Sequence, residues 1–436
     1  MVASSDTAIR KPEVYESRKI QLTSPILHIG SEVSRLNPFE YVQTPSKVYI
    51  PAQEALAKAL HQRGRLNEYI SLIEEREDIT PLLEATFGKT WWNEQDPNGE
   101  PIFPKIAISR KWTEQKITEL RPMIRNGMGQ LYIPGSSIKG AIRTAIAYHL
   151  LKHEEDYQIP KALRVSEIEE RLREKLQQGD VGHSQRKKFL DDGLFMDDLF
   201  ADFSLTYQGK EITSRSASRI GPNTDFMRAI KVTDSSPLIE RKILNKQGKE
   251  ILVNVPVVAE AIVSSRFPNS LAKYRASIYT EIVRNVQTEF TITLDSEMLS
   301  WFRHREGMKL PFKTLDDVLK ICKEFVQDQW DYEHDYWQEI KNNQNAQGKN
   351  LDFSDIRSFY ETEKSPFSLR LGWGSGLTGT TVDLLLEDEL RAEIRDAAGI
   401  AAPNFEAPKS RRTVVGPNGE IKYVPGWAKF KVVPHS

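Results

Sequence analysis

The stretch LYIPGSSIKGAIRTAIAYHLL, residues 131–151, joins a short apolar strand to a helix through a Pro-Gly-Ser-Ser turn. After the turn, isoleucine recurs every fourth residue, at Ile138, Ile142 and Ile146. Side chains four residues apart lie on one face of a helix, so this spacing predicts a helix whose isoleucine face packs on a core. The stretch therefore predicts a fold that mixes strands and helices.

Basic side chains lie on a different face of the same helix. Lys139 and Arg143 are four residues apart, so both project from one side of its first turns. Gly135 belongs to the turn, and Ser136 or Ser137 can supply a side-chain cap. Loop amides, the helix dipole and two cations would then meet in one region, which suits a phosphate group. An ordinary capped helix with two solvated basic residues is the alternative.

The bulk composition restricts the possible classes of protein. The chain has 436 residues, 39% of them hydrophobic, enough for a sizeable core in two or three domains or in one large decorated fold. A formal charge of −1 excludes a generally basic nucleic-acid binder, so RNA binding would require a local basic patch. Cys322 is the only cysteine, which excludes a disulfide framework and a cysteine zinc site. Without a long apolar run or a signal-peptide pattern, we expect a cytoplasmic protein with no membrane partner.

Strand and helix patterns alternate irregularly along the chain, which favours an α+β fold over a doubly wound sheet. Strands are predicted at 18–30, 47–51, 229–232, 254–262 and 288–294. We expect a flexible arm at 1–17 and a core at 18–295. The core would contain a helical insertion at 52–90 and a charged insertion at 155–220. A polar helical insertion would follow at 296–365, and the C-terminal part of the core would occupy 366–436. This last part contains a glycine-rich loop and a terminal hairpin with Pro-Asn-Gly at its turn.

The glycine-rich loop has a predicted strand before it and a predicted helix after it. Gly372, Gly374, Gly376 and Gly379 would let the backbone approach a ligand closely. The last three fit a dinucleotide-binding fingerprint, so a nicotinamide or flavin enzyme is an alternative. Only about 57 residues follow the loop, and they offer no second parallel strand. Trp373 inside the loop is better suited to stacking on a base, and a purely structural turn is a further alternative.

Four groups of motifs, taken in order, resemble the RAMP superfamily of CRISPR–Cas proteins. They are SPILHIGSE, LYIPGSSIKGAIRTAI, VTDSS, and LRLGWGSGLTGTTV followed by KSRR and PGWAKF, and they span roughly residues 20–430. The resemblance implies an RNA-binding subunit with a ferredoxin-like (RRM-like) core. Within the superfamily the chain most resembles the type III-A effector subunit that caps the 3′ end of the CRISPR RNA (crRNA). The long polar stretch at 296–360 and the extended region at 160–220 would instead fit a type III-D-like backbone subunit with an insertion.

The resemblance also implies partners and site residues. The partners would be crRNA, target RNA and the other Cas subunits of a type III complex, with guide phosphates held by the protein and guide sequence read by base pairing. The residues implied to bind RNA are His28, Gly30, Gly135, Ser136, Ser137, Lys139, Arg143, Arg228, Lys231, Gly372, Trp373, Gly374, Ser375 and Gly376.

Backbone subunits of the superfamily often cleave target RNA with a divalent metal and an aspartate on the loop after the first strand. Here that loop reads HIGSEVSRLNPFEYV and contains Glu32 and Glu40 but no aspartate. Glu32 is the only candidate that could help bind Mg²⁺. We therefore expect a subunit that binds without cutting and needs no cofactor, and a metal-dependent endoribonuclease is the alternative.

Two other patterns have ordinary explanations. His149 and His153 are four residues apart on a helix, a spacing that can bind a metal. No third ligand is evident nearby in the sequence, so we expect two ordinary histidines. Stacking on RNA is conceivable for four tryptophans, but packing in the core or at a subunit interface is favoured for Trp91, Trp92, Trp330 and Trp337. The thiol of Cys322 is expected to be buried in the core.

Overall fold

The structure of the protein is a computed structural model that describes residues 14–177, 198–211, 223–245, 247–400, 402 and 405–434. The predicted arm and the predicted charged insertion therefore lie partly outside the described residues. None of the described helices is both long and apolar enough to cross a membrane.

Eleven α-helices occur within the described ranges. They are α1 (Gln53–Gln62), α2 (Leu66–Glu75), α3 (Thr80–Phe87), α4 (Gly135–Lys152), α5 (Val165–Gln177), α6 (Asp198–Ala201), α7 (Ser296–Trp301), α8 (Leu315–Glu339), α9 (Ser354–Phe359), α10 (Gly376–Thr380) and α11 (Asp388–Ala397).

The strands found in the same ranges number nineteen. They are β1 (Tyr15–Leu27), β2 (Val42–Gln43), β3 (Lys47–Tyr49), β4 (Ile108–Lys111), β5 (Leu120–Arg121), β6 (Phe203–Tyr207), β7 (Lys210–Glu211), β8 (Ile230–Val232), β9 (Arg241–Leu244), β10 (Glu250–Val253), β11 (Val255–Arg266), β12 (Ala272–Asp295), β13 (Phe302–His304), β14 (Asn343–Ala346), β15 (Lys349–Leu351), β16 (Leu369–Arg370), β17 (Arg411–Val415), β18 (Ile421–Tyr423) and β19 (Trp427–Val433).

A mixed sheet of twelve strands organises the molecule. Its main path runs β16-β19-β1-β12-β11-β4-β3-β2, and β5, β8, β17 and β18 attach to this path. The β4–β11 and β5–β12 pairs are parallel, whereas β1 pairs antiparallel with both of its neighbours, β12 and β19. The α+β prediction is confirmed, since strands and helices are mixed without regular alternation.

The strands predicted at 18–30, 47–51, 229–232, 254–262 and 288–294 are all present, with one large difference in length. The short strand predicted before the Pro-Gly-Ser-Ser turn is wrong, because Leu131 forms only an isolated bridge with Arg125. A strand was expected at 288–294, but β12 begins at Ala272. Its first part pairs with β11 and its second part pairs with β1. Backbone pairing with β11 therefore extends the strand beyond the segment that pairs with β1. Many side chains in this first part are only half-buried, so the sequence there lacks the alternation of apolar and polar residues that would predict a strand.

Helices α4 and α8 pack on the sheet and enclose the largest apolar cluster. The predicted isoleucine face of α4 is confirmed, because Ile138, Ile142 and Ile146 are all fully buried. On α8, Phe325 and Cys322 are buried in the same cluster, which confirms the expectation for the thiol. A capping box formed by Thr314 and Asp317 starts α8.

Two smaller apolar clusters account for most of the tryptophans. Trp91 is buried among α1, α2 and α3, while Trp330 and Trp337 are buried with Trp427 on the other side of α8. These three positions confirm the preference for core packing. Trp92 is half-buried and stacks on Tyr49 at 6.3 Å between ring centres.

The C-terminal region agrees with the sequence in its hairpin and differs in its helix. β17 and β18 pair antiparallel, as the Pro-Asn-Gly turn predicts. The helix expected after the glycine-rich loop is reduced to α10, which has only five residues. Thr381 ends α10 in an extended conformation, so the predicted helix is present but short.

Candidate nucleic-acid interface

The N-terminus of α4 opens onto a groove of about 640 Å³. We call it the α4 groove, and its lining residues are Gly135, Ser136, Lys139, Arg228, Ile230, Lys231, Val232 and Met298. The structure thus brings together residues from α4, from the segment around β8 and from α7. Five of them are residues for which the sequence predicts RNA contact, namely Gly135, Ser136, Lys139, Arg228 and Lys231.

The VTDSS segment holds the start of α4 in place. The Gly135 amide donates to Asp234 Oδ1 at 2.7 Å, and Ile133 and Ser235 exchange two hydrogen bonds of 2.9 Å. The expected serine cap is wrong, because Pro134 is the N-cap residue and no cap side chain bonds to the helix. A carboxylate from a distant segment occupies the positive end of the helix dipole instead.

Gly135 is required by close packing. A Cβ atom at this position would lie 2.4 Å from the Val232 carbonyl oxygen and 2.7 Å from that of Thr233. Real Cβ atoms do not approach backbone oxygens so closely. The helix therefore starts directly against β8, which places the lysine of β8 beside the lysine of α4.

The cations of the α4 groove form no ion pair with a carboxylate of the described residues. Among the described residues, no ion pair is recorded for Lys139, Arg228 or Lys231. Arg228 donates to the Asn223 carbonyl at 2.8 Å, and the Lys231 ammonium lies 5.4 Å from the ring centre of Tyr15. Three cations without carboxylate partners at one groove would attract a polyanion.

Lys139 is the most buried of these cations. Burial lowers the pKa of its ammonium, the charge of Arg143 lowers it further, and Asp225 opposes both effects. A half-buried ammonium without an ion pair is poorly solvated, so a bound phosphate would stabilise it.

Arg143 and Ser137 do not line the α4 groove. Arg143 Nη1 lies 2.5 Å from Asp225 Oδ2, and its guanidinium carbon lies 3.9 Å from the ring centre of Phe200. The Ser137 amide donates to the Pro134 carbonyl at 3.0 Å. Arg143 thus fastens α4 to the segment that contains Asp225.

The glycine-rich loop packs against the end of β1. Gly372 has a φ of 76°, and a Cβ atom there would lie 2.2 Å from the His28 carbonyl oxygen. That oxygen accepts a hydrogen bond from the Trp373 amide at 3.1 Å. At Gly374, a Cβ atom would meet Pro425 Cγ at 2.3 Å. These two glycines allow close packing within the protein.

The dinucleotide alternative is wrong. A dinucleotide fingerprint requires a strand, the glycine loop, a helix and a second parallel strand. Here the strand before the loop, β16, has two residues and pairs antiparallel with β19. The helix that follows, α10, has five residues. Ser375 and Gly376 lie between these elements, and the Ser375 hydroxyl donates to the Gly372 carbonyl at 2.8 Å.

His28 and Gly30 follow β1, as the sequence suggests, but they differ in exposure. His28 is 2% exposed, and its Nδ1 lies 2.6 Å from the Glu281 carbonyl oxygen. Burial lowers the pKa of His28 to about 4, although the hydrogen bond to Glu281 opposes this effect. The imidazole is therefore neutral at pH 7. Gly30 is exposed and forms an isolated bridge with Met123.

Sequence reasoning missed two arginines that contact Trp373. The guanidinium carbons of Arg121 and Arg412 lie 5.5 Å and 4.6 Å from its indole centre. We call these three residues the Trp373 cluster. Within the described part of the chain, neither arginine has a recorded ion pair. Burial lowers the pKa of Arg412, and the charge of Arg121 lowers it further.

The KSRR motif indicates that Arg411 and Arg412 have different environments, which could have identified Arg412 as a site residue. Successive residues of a strand point to opposite faces, and both arginines belong to β17. Arg411 points inward, where its Nε lies 2.9 Å from the buried carboxylate of Glu333. Arg412 consequently points to the face that carries Trp373. Nothing in the sequence around Arg121 indicates its contact with the indole.

Glu32 lies exposed on the loop after β1. The described residues contain one group of three metal-ligating side chains close together, His149, His153 and Glu324. Glu32 is not part of it. A third possible ligand that is distant in the sequence, Glu324 of α8, contacts both histidines.

The part of the chain that contains α4 and most of β1 matches a known protein family. The model of the RAMP superfamily matches residues 19–362. The chain belongs to the RAMP superfamily. Within the curated RAMP proteins, it is similar to the CRISPR system Cms protein Csm5 of Enterococcus italicus, with 27% identity over 150 residues. That match covers 29% of this chain and 41% of the relative, so it spans less than half of the relative's length.

Two solved RAMP-related structures share the fold. One is a chain of the cryo-EM structure of a Csm–crRNA–target RNA ternary complex of a type III-A CRISPR–Cas system, with a TM-score of 0.57 and 22% identity. The match covers 95% of this chain and all of that chain. The other is the crystal structure of T. onnurineus Csm5, with a TM-score of 0.52 and 21% identity, covering 94% of this chain and all of that chain.

Proposed function

We propose that the chain is a crRNA-binding structural subunit of a type III-A CRISPR–Cas complex, in contact with target RNA and neighbouring Cas subunits. Membership of the RAMP superfamily and the similarity to Csm5 support the class of complex. The observation that carries the RNA-binding role is the α4 groove, where Lys139, Arg228 and Lys231 lack carboxylate partners among the described residues.

The chemistry of the α4 groove suits a nucleic-acid backbone. Ammonium and guanidinium groups bind phosphate oxygens through charge-assisted hydrogen bonds. Such contacts hold the strand without reading its sequence, which fits a protein whose RNA is selected by base pairing. The near-neutral net charge of the chain also fits binding by a local patch.

We assign a second RNA contact to the Trp373 cluster. Trp373 is half-buried, and two guanidinium groups that repel each other lie near its indole ring. A phosphate near Arg121 and Arg412 would relieve that repulsion, and an unstacked base could pack on the exposed part of the indole. The neutral, buried His28 beneath it supports the loop without contacting phosphate.

We also propose that the core is ferredoxin-like. The elements β1, α4, β11, β12, α8 and β19 follow one another in βαββαβ order. Their strands are arranged β19-β1-β12-β11, and each neighbouring pair is antiparallel. In this scheme α8 is the second core helix, although the sequence suggests that it belongs to an insertion at 296–365.

We propose that the subunit binds RNA without cutting it. A metal-dependent ribonuclease needs ligands that converge on the metal. Glu32 is exposed and lies outside the one group of convergent ligand side chains among the described residues. The α4 groove contributes cations and no carboxylate to its lining, so it suits binding better than metal-assisted hydrolysis.

The test is the salt dependence of crRNA binding by the purified full chain. The double variant Lys139→Ala/Lys231→Ala should bind crRNA more weakly, and the slope of log K against log salt should become shallower by about 1.4, since each single-stranded phosphate contact contributes about 0.7. Affinity would be measured by filter binding at salt concentrations from about 50 to about 300 mM, a range wide enough to show a change of this size in the slope.

The matched control removes two lysine charges elsewhere. Lys58 pairs with Glu54 on α1, and Lys161 pairs with Glu167. Lys58→Ala/Lys161→Ala has the same net charge as the groove variant and should keep the wild-type slope. If the two double variants gave the same slope, the α4 groove would be excluded as a phosphate-binding surface.

A further inference from the structure

A cluster on the other end of α4 is not used by the proposed RNA site. His149 lies on the last turn of α4, His153 is the residue that follows the helix, and both contact Glu324 of α8. His149 Nδ1 is hydrogen-bonded to Glu324 Oε2, and His153 Nε2 lies 2.7 Å from Glu324 Oε1. One ligand atom from each residue lies within 4.8 Å of the others.

The three side chains form a recognised type of metal-ligand set. Imidazole nitrogens and a carboxylate oxygen are common zinc ligands, and two histidines four residues apart on a helix can bind the same ion. Zinc bound by such ligands lies about 2.0–2.2 Å from each. The ligand atoms are close enough for an ion to be held between them after small side-chain movements.

A second layer of contacts orients the first histidine. His149 Nε2 lies 2.8 Å from the Tyr157 hydroxyl. If Nδ1 bound a metal, Nε2 would carry the proton and donate it to that hydroxyl, the arrangement typical of metal-bound histidines. Tyr157 lies eight residues after His149, beyond the end of α4, so the turn after the helix builds the contact.

The surrounding charges favour a cation. Lys152 Nζ lies 2.6 Å from Asp328 Oδ2 and 3.3 Å from Glu324 Oε1. Asp156 Oδ2 lies 3.9 Å from His153 Nδ1. The region therefore holds three carboxylates and one ammonium around two imidazoles. Asp328 makes the closer contact with Lys152, while Glu324 lies between that ammonium and the two imidazoles.

We propose that His149, His153 and Glu324 form a binding site for a zinc-class divalent cation that links α4 to α8. The remaining coordination positions would be filled by water, since His153 and Glu324 are partly exposed. The site is separate from the α4 groove at the other end of the helix, and the inference does not depend on the proposed RNA-binding function.

The experiment uses the untagged full chain after removal of metals by a chelator. Zn²⁺ would be titrated against a chromogenic competitor at pH 7.5. We expect about one high-affinity equivalent per chain and a higher thermal midpoint with Zn²⁺. His153→Gln and Glu324→Gln should each weaken Zn²⁺ binding at least about 100-fold, since even outer-shell changes cost 10–100-fold.

The matched control is His61→Gln, because His61 is an exposed histidine on α1, away from the cluster. It should bind Zn²⁺ like the wild type. Circular dichroism of the apo-proteins would establish that each variant is folded, and His153 is partly exposed, so its loss leaves the core intact.

Two results would overturn the proposal. One is a wild-type chain that takes up no Zn²⁺ beyond the level of non-specific binding. The other is stoichiometric uptake that His153→Gln and Glu324→Gln leave unchanged. In either case the cluster would be a hydrogen-bonded contact between α4 and α8 that uses Glu324 as a double acceptor.

Discussion

Basic residues of similar sequence context have different roles in this member of the RAMP superfamily. Lys139 and Arg143 share one face of α4, yet Lys139 lines the α4 groove while Arg143 pairs with Asp225 and packs on Phe200. The two arginines of β17 differ in the same way, since Arg411 pairs with buried Glu333 and Arg412 packs on Trp373. Whether one of these cations can bind a phosphate therefore depends on the side chains beside it more than on its position in the helix or strand.

His28 gives the folded protein a predictable pH dependence. Its pKa is about 4 in the folded state and near 6.5 in an unfolded chain, because burial disfavours the imidazolium. Between these values the unfolded state binds a proton that the folded state does not. The free energy of unfolding therefore falls as the pH falls through this window, by about 2 kcal/mol between pH 7 and pH 5 for this group.

Urea unfolding of the wild type and His28→Gln at pH 7 and pH 5 measures this contribution. The variant should lose less stability on acidification than the wild type, by about the same 2 kcal/mol. Other titrating groups are common to both proteins and cancel in the comparison. Equal losses in the two proteins would show that His28 is not buried in its neutral form.

At the scale of elements, the start of α4 is defined by contacts with a distant segment. Asp234 accepts from the Gly135 amide, and β8 lies directly against Gly135. This explains why the IPGSS and VTDSS motifs occur together, since one supplies the helix start and the other its acceptor. The lysines of the α4 groove are brought together by the same contact.

Gly135→Ala should therefore destabilise the protein and disturb the α4 groove. A Cβ atom 2.4 Å from the Val232 oxygen forces α4 and β8 apart, and overpacking of this kind costs about 1–3 kcal/mol. The free energy of unfolding in urea and the crRNA affinity should both fall.

Gly140→Ala is the control on the same helix. Gly140 is exposed, and a Cβ atom there would meet nothing within 4 Å. Replacing an exposed helical glycine by alanine stabilises by about 0.5–1 kcal/mol. If Gly135→Ala behaved like Gly140→Ala, the close contact between α4 and β8 would be refuted.

At the scale of the whole molecule, the proposed RNA-binding surfaces occur in a chain whose overall composition is not basic. The lysines and arginines number 60 and the acidic residues 61, and most of the ion pairs lie away from the α4 groove and the Trp373 cluster. Both proposed contact surfaces consist of cations whose positions keep them from carboxylate partners in the described chain. Such a subunit would depend on its neighbours for part of the RNA affinity.

Recovery of the native assembly tests this proposal. A tagged full chain expressed in its host should co-purify with small CRISPR-derived RNAs and other Cas subunits, identified by RNA sequencing and mass spectrometry. Nuclease protection of the bound RNA should map the chain to the 3′ end if it is the capping subunit. A chain that co-purifies with neither RNA nor Cas proteins would contradict the proposed function.

Local sequence patterns were sufficient to predict many of the helices and strands. The isoleucine spacing of α4, the apolar runs of β1 and β11, and the Pro-Asn-Gly hairpin all depend on neighbours in the chain, so their periodicity is visible in the sequence. The resemblance to the RAMP superfamily also rests on contiguous motifs. The predicted serine cap failed because a carboxylate from a distant segment, Asp234, accepts from the first amide of α4.

The sequence by itself determined the elements, their buried faces and the family. Only the tertiary structure decided which charged groups meet. Arg143 and Asp225 are 82 residues apart, and His149 and Glu324 are 175 apart. Local spacing constrains neighbours on one helix or strand, whereas the neutralisation of a cation or the completion of a ligand set depends on side chains that the sheet brings together from distant parts of the chain.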